Sequence, residues 1–368
     1  MLKLKDNEIL VTVYLTMVLL NIWFVFLLPP IRSDLPPLHF WVDTKLMLIP
    51  YLLMCSTIFI FLFSEKCNSV LKNAQLPKFL SIILIIGSII FTFIGNYGAI
   101  DNGTDNDEAL SVWIDALLSG NFPYSAHTQL GNPISPFPFM PIYSIIYKFM
   151  GDVSFQNIVN VTAIIYIIYC LSENNVKLIF GLSSLIISIP LWYLLLIQSD
   201  HLTVVTPMAL TTYLLLINRF IYGSFLVGFL IASKGYAWLI IPTIIYYFTI
   251  KEGSCKSLIY FAISAIIAGI LIVPFIIWNP TIFFNVAPIG LNNSYFPGLL
   301  KVLPLISIII SLLSFHLTRN LFMSIALTYI IFMCYQMMYI RTSIIILIFL
   351  MMWCIGGINN INKIKRMA

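Results

Sequence analysis

Residues 257–279 read SLIYFAISAIIAGILIVPFIIWN, a run without a single charged side chain. Crossing a hydrocarbon core of about 30 Å takes roughly 20 residues of helix, so this stretch alone argues for a membrane span. The rest of the chain agrees. Of its 368 residues 60% are hydrophobic and 9% charged, whereas a soluble domain carries about 25% charged residues. Only helices and closed barrels satisfy every backbone group in lipid, and the short alternating strands of a barrel are absent from the pattern. The expectation is an all-α integral membrane protein.

Working outward, apolar spans fall near 9–30, 46–64, 79–98, 155–172, 178–198, 202–218, 221–233, 236–250, 257–279, 299–316, 320–340 and 342–358, a polytopic bundle of about 12 transmembrane helices. The first is too long for the apolar core of a signal peptide, and FLLPPIRSD offers no small-residue cleavage site, so it is expected to remain. Basic residues are retained in short cytoplasmic loops. Lys3, Lys5, Lys66, Lys72, Lys78, Lys251, Lys256 and the closing KIKR at 363–366 then share one side. Both termini are expected in the cytoplasm, in a multi-pass plasma-membrane protein. The net charge of +5 is read as a topogenic signal and not as a nucleic-acid footprint. The six cysteines form no close pair and suggest neither a disulfide framework nor a zinc site. With no internal repeat and no polar stretch long enough for a soluble domain, residues 1–368 read as one membrane domain.

The connection at 99–154 lies on the outer face in this topology. It begins with DNGTDNDEAL at 101–110, which gathers Asp101, Asp105, Asp107 and Glu108 in a chain that has only 14 acidic residues. EALSVWIDALLSG then spaces Ala109, Leu110, Val112, Trp113, Ala116, Leu117 and Leu118 for a helix with one mostly apolar face, stopped by Gly120. Such a helix is expected in the membrane interface, with Trp113 at the boundary. Pro133, Pro136, Pro138 and Pro141 follow too closely for a spanning helix, so this part should be irregular or re-entrant and packed on protein.

The stretch TDNDEALSVWIDALLSGNFPY at 104–124 resembles the first extracytoplasmic loop of the GT-C superfamily of integral-membrane glycosyltransferases, in which an acidic pair precedes an interfacial helix and a Gly-x-x-Pro-Tyr-type turn. QSDHLTVVTPMALTTYLLL at 198–216 and LVGFLIASKGYAWLIIPTIIYYF at 226–248 resemble segments of its family 87-like members. The resemblance covers roughly 95–250 and implies a GT-C-like fold. It also implies a polyprenyl-phosphate-sugar donor, of the mannose type, and a lipid or glycan acceptor on the extracytoplasmic side. Relatives often carry a soluble C-terminal domain; here the sequence closes just after the last apolar span.

Inverting glycosyl transfer needs a base for the acceptor hydroxyl and stabilisation of the departing phosphate. Asp107 is the candidate base, directly before the helix that would fix it, although a carboxylate there equally suits an N-cap. Glu108 could hold a substrate hydroxyl or simply favour the first helical turn. Asp105 and Asp107 form a DxD; if they hold a cation, an all-oxygen set takes Mg²⁺ or Mn²⁺. A monophosphate donor has less charge to neutralise, so the need for metal stays open. Among basic groups, Lys234 lies between two short apolar segments and is the candidate phosphate contact, against simple snorkelling. Arg341 is a second such candidate. Asp200 with His201 would bind sugar or acceptor hydroxyls, and Tyr124 is a further substrate-binding candidate. A transporter or flippase would share the span number but calls for mid-membrane ionisable residues and a repeat. A polymerase or ligase for lipid-linked polysaccharide calls for arginines in the large outer loop, which has none.

Overall fold

The computed structural model describes residues 2–27, 31–33, 40–42, 48–64, 71, 73–96, 106–286, 303–318 and 320–336. Helices dominate. Eleven of the twelve expected segments coincide with them, and 342–358 lies outside the described residues. Among the described residues, three helices are long and apolar enough to cross a membrane, or four if one bent pair counts as a single span. Shorter apolar helices cover Leu48–Phe63, Leu202–Leu216 and Phe220–Ile231.

The chain forms two compact units: Met1–Asn102 with Val161–Ile197 and Leu313–Ala368, and Gly103–Asn160 with Gln198–Leu312. The first holds α1 (Leu2–Leu27), α2 (Leu48–Phe63), α3 (Gln75–Asn96), most of α6 (Gln156–Leu171), α7 (Asn175–Ile186), α8 (Ile189–Leu196) and α15 (Leu321–Gln336). Between α1 and α2, β1 (Ile31–Ser33) and β2 (Phe40–Val42) pair antiparallel, a small exception to the all-α expectation. The Tyr14 hydroxyl donates to the Cys55 carbonyl at 2.7 Å and so ties α1 to α2. On α3, Gly87 lets the Trp192 ring approach so closely that a Cβ there would lie 2.8 Å from ring atoms.

The segment expected as one straight span at 178–198 is instead broken, with α7 and α8 meeting at 50°. Pro190 explains it. Proline has no N–H to return to the carbonyl four residues earlier, and the Trp192 indole N–H takes that Ile186 carbonyl at 2.7 Å instead. The Ile189 N–H, also released by the break, donates to Asn21 Oδ1 at 2.9 Å. Asn21 is fully buried, so its amide replaces backbone partners that lipid cannot supply.

The second unit holds α4 (Asn106–Leu118), α5 (Phe139–Phe149), α9 (Leu202–Leu216), α10 (Phe220–Ile231), α11 (Ile241–Glu252), α12 (Ser254–Trp278), α13 (Pro280–Asn285) and most of α14 (Leu303–Thr318). Small residues bring α10 and α12 together, as in membrane helix pairs generally. The Ser264 hydroxyl donates to the Ser224 carbonyl at 2.9 Å. One turn on, a Cβ at Gly228 would sit 2.6 Å from Ile267 Cβ. The opposite face of α12 exposes Leu258, Ile266, Ile270, Val273 and Ile277, an apolar surface that suits lipid. Thr243 on α11 and Ser311 on α14 share a hydroxyl hydrogen bond of 2.7 Å.

Candidate functional site

The expected helix after the acidic cluster is α4, with Asp107 and Glu108 in its first turn. Gly120 takes φ +74°, the left-handed conformation that a glycine stop supplies. Its buried face differs from the expected one. Ala109, Leu110, Trp113 and Ile114 are buried whereas Leu118 is exposed, and Trp113 is fully enclosed instead of lying at a membrane boundary. The indole packs against the rings of Phe275 and Tyr124, at centroid distances of 5.3 and 6.1 Å. These aromatic contacts make α4 a packed element of the second unit. Lys148 on α5 clamps it from another direction, 2.6 Å from Asp115 and 2.7 Å from Ser111 Oγ.

The proline-rich stretch is irregular, as expected, between a 3₁₀ turn at Pro123–Ser125 and α5. Its prolines leave few N–H groups to satisfy, and those of Phe137 and Phe139 donate to the Ser233 and Ala232 carbonyls at 2.8 and 2.9 Å. The loop is thereby fastened beside Lys234. That lysine sits in extended backbone between the end of α10 and a 3₁₀ turn at Gly235–Ile240, the break anticipated from the two short apolar segments.

Lys234 does not snorkel. It is buried, and its Nζ donates to Asp200 Oδ1 at 2.8 Å. Asp200 is also 3.7 Å from His201 Nε2, while His201 Nδ1 meets the Tyr236 hydroxyl at 2.8 Å. Asp200 thus holds the lysine with its side chain, and its backbone carbonyl accepts from the Thr203 N–H in the first turn of α9. Tyr236 went unnoticed in the sequence, where a tyrosine two residues past Lys234 is one aromatic among many.

Asp107 belongs to the same neighbourhood. Burial pushes its carboxyl up to about 6; backbone N–H groups at Glu108 and Asp107 oppose the rise, and the fields of Asp152 and Asp200 add to it. A carboxyl in that range is poised to take up or release a proton near neutrality. Glu108 Oε1 accepts from the Gln129 N–H at 2.8 Å, which pins the next turn of the loop to α4. Its other oxygen, Oε2, is buried and has no hydrogen-bond partner among the described residues.

Tyr124 takes a structural place. Its hydroxyl donates to the Pro136 carbonyl at 3.0 Å, and its buried ring contacts Trp113, Phe275 and Phe283. Asp105 and Arg341 lie outside the described residues. Among the described residues no three His, Cys, Asp or Glu side chains come together to hold a metal ion, so the Mg²⁺ or Mn²⁺ option rests on Asp105 as partner to Asp107. No family model, curated protein or solved structure matches the chain. The GT-C resemblance accordingly rests on the three quoted segments.

Proposed function

We propose that the protein is an inverting glycosyltransferase of the GT-C type. It would move a hexose, mannose in the resemblance, from a polyprenyl-phosphate donor to a lipid or glycan acceptor on the extracytoplasmic side. The observation that carries this reading is the convergence, within one unit, of a carboxyl raised to about 6 with a buried cation held by its own carboxylate.

In the proposed reaction Asp107 accepts the proton of the acceptor hydroxyl. The oxygen forms the new bond at the anomeric carbon from the face opposite the phosphate, and the old carbon–oxygen bond breaks, its electron pair leaving with polyprenyl phosphate. Lys234 is the cation available to that phosphate, and it reaches it by sharing or exchanging Asp200. His201, oriented by Tyr236, offers a further hydrogen bond. Glu108 Oε2, an acceptor with no donor among the described residues, suits a sugar hydroxyl. Arg341 remains a proposed second phosphate contact. The donor's polyprenyl chain would stay in the bilayer, which brings substrate and membrane protein together in two dimensions.

One observation favours a transporter or flippase instead. The break between α7 and α8, with Asn21 filling it, is the kind of discontinuous helix that lines sites in transporters. Reconstituted vesicles supplied with labelled polyprenyl-phosphate mannose separate the readings. Glycosyl transfer predicts labelled acceptor; a transporter predicts movement of the label across the bilayer with the donor bond intact. Competition by the monophosphate lipid but not by a diphosphate-linked one would further exclude a polymerase or ligase.

A further inference from the structure

At the start of α6, Gln156, Asn157 and Asn160 are all buried. Two of them are spoken for. Gln156 Oε1 accepts from the Ser144 hydroxyl at 2.7 Å, and Asn160 Nδ2 donates to Thr203 Oγ1 at 3.1 Å. Asn157 differs. It is 0% exposed, and among the described residues neither its Nδ2 nor its Oδ1 has a hydrogen-bond partner. Burying both halves of a carboxamide unpaired carries a desolvation cost that an apolar residue of the same size would avoid.

The position of Asn157 is fixed from both sides. It precedes Asn160 by three residues and so shares its helix face one turn earlier. Asn160 bonds to Thr203, in the same first turn of α9 whose Thr203 N–H donates to the Asp200 carbonyl. On the other side Asp152, which accepts the Ser154 N–H at 2.7 Å, acts through its field on Asp107. Asn157 is thus linked to Asp200 through Asn160 and Thr203, and it follows Asp152, whose field reaches Asp107, by five residues.

We propose that Asn157 reads a neutral, hydroxyl-rich ligand, a sugar ring, through a donor and an acceptor contact to adjacent hydroxyls. The carboxamide offers both kinds of contact on one rigid plane, matching hydroxyls that each donate and accept. Lys234 already pairs with Asp200, and the carboxylates of Asp107 and Asp152 add negative charge, which disfavours an anion at this position. The identity of the sugar as the transferred hexose rests on the glycosyl-transfer reading; the contact to hydroxyls does not.

The test uses the full chain purified in detergent, as wild type and as Asn157→Leu, with Asn157→Asp as a shape-preserving second variant. Polyprenyl-phosphate mannose and methyl mannoside are the probes; melting temperature and steady-state transfer are the readouts. The inference expects Asn157→Leu to melt at or above wild type without ligand, because it removes an unpaired buried amide. It also expects both variants to lose the ligand-induced rise in melting temperature. Transfer should show a KM about tenfold or more higher, the loss of one to two hydrogen bonds, with kcat less affected. A wild-type-like ligand response in both variants, or a ligand-free Asn157→Leu that melts well below wild type, overturns the inference in favour of a structural amide or a water site. If methyl mannoside stabilises wild type alone but no sugar is transferred, the inference stands and glycosyl transfer fails. If neither probe stabilises wild type, the inference fails too.

Discussion

Replacing Asp107 by Asn should make the protein more stable and less active at once. Burial holds the carboxyl at about 6 in the folded chain against 3.8 for an unperturbed aspartate, so folding favours the protonated form. The sign follows from linkage. At pH values below 3.8 the group is protonated whether folded or unfolded and costs nothing. As pH rises towards 6 the unfolded chain ionises first, and stability is lost across that window. The shift of about 2 units corresponds to roughly 3 kcal/mol at 1.36 kcal/mol per unit; partial screening at a half-buried site lowers this to about 2 kcal/mol. Asn keeps the shape and the acceptor oxygen for the backbone N–H groups but cannot ionise. In detergent, thermal melts at pH 5 to 8 should show the variant gaining on wild type as pH rises and levelling off above about 6. Transfer should fall by about 10² to 10⁴-fold, the usual loss for a general base, and the acidic limb near pH 6 in wild-type kcat/KM should vanish. A stability difference independent of pH, or an unchanged rate, would refute the reasoning.

Other perturbations report on the frame around the site. Asp200→Ala strands the Lys234 charge in a buried position and should cost about 3–5 kcal/mol by thermal melting, whereas Asp200→Leu combined with Lys234→Met should recover most of that stability without recovering transfer. Gly228→Val drives a side chain into Ile267, whose Cβ would lie 2.6 Å from the new Cβ, and should lower stability by about 1–3 kcal/mol. Asn21→Leu leaves the Ile189 N–H unsatisfied at the helix break; a loss of about 1–3 kcal/mol is expected, and an unchanged melting temperature would mean that the amide has another partner.

Much of this was legible in the residues themselves. Uncharged runs such as 257–279 fix helices because lipid allows the backbone no other partners, and the acidic start and glycine stop of α4 are local signals that act within one turn. The break at Lys234 also reads directly, from two apolar segments each too short to span. What covers an apolar face does not read in the same way. The pattern 109, 110, 112, 113, 116, 117, 118 says that α4 has an apolar side, but it includes the exposed Leu118 and omits the buried Ile114, and Trp113 could meet lipid or protein until Phe275, distant in sequence, is brought against it. The partnership of Asp200 with Lys234 likewise spans 34 residues, and no periodicity encodes it. The bend at Pro190 was available in principle, since proline cannot complete a helical hydrogen bond. Asn157 carried no signal of its own, because one asparagine at the start of an apolar helix looks like a cap until its carboxamide is found buried with no hydrogen-bond partner among the described residues.

The central claim is most directly tested by mass spectrometry of lipid-linked and surface glycans from cells lacking the gene, complemented with wild type or with Asp107→Asn. Loss of a single hexose from one glycan, restored by the wild-type chain and not by a variant present at the same level in the membrane, is the predicted result. Glycans that are identical in all of these cells would contradict it.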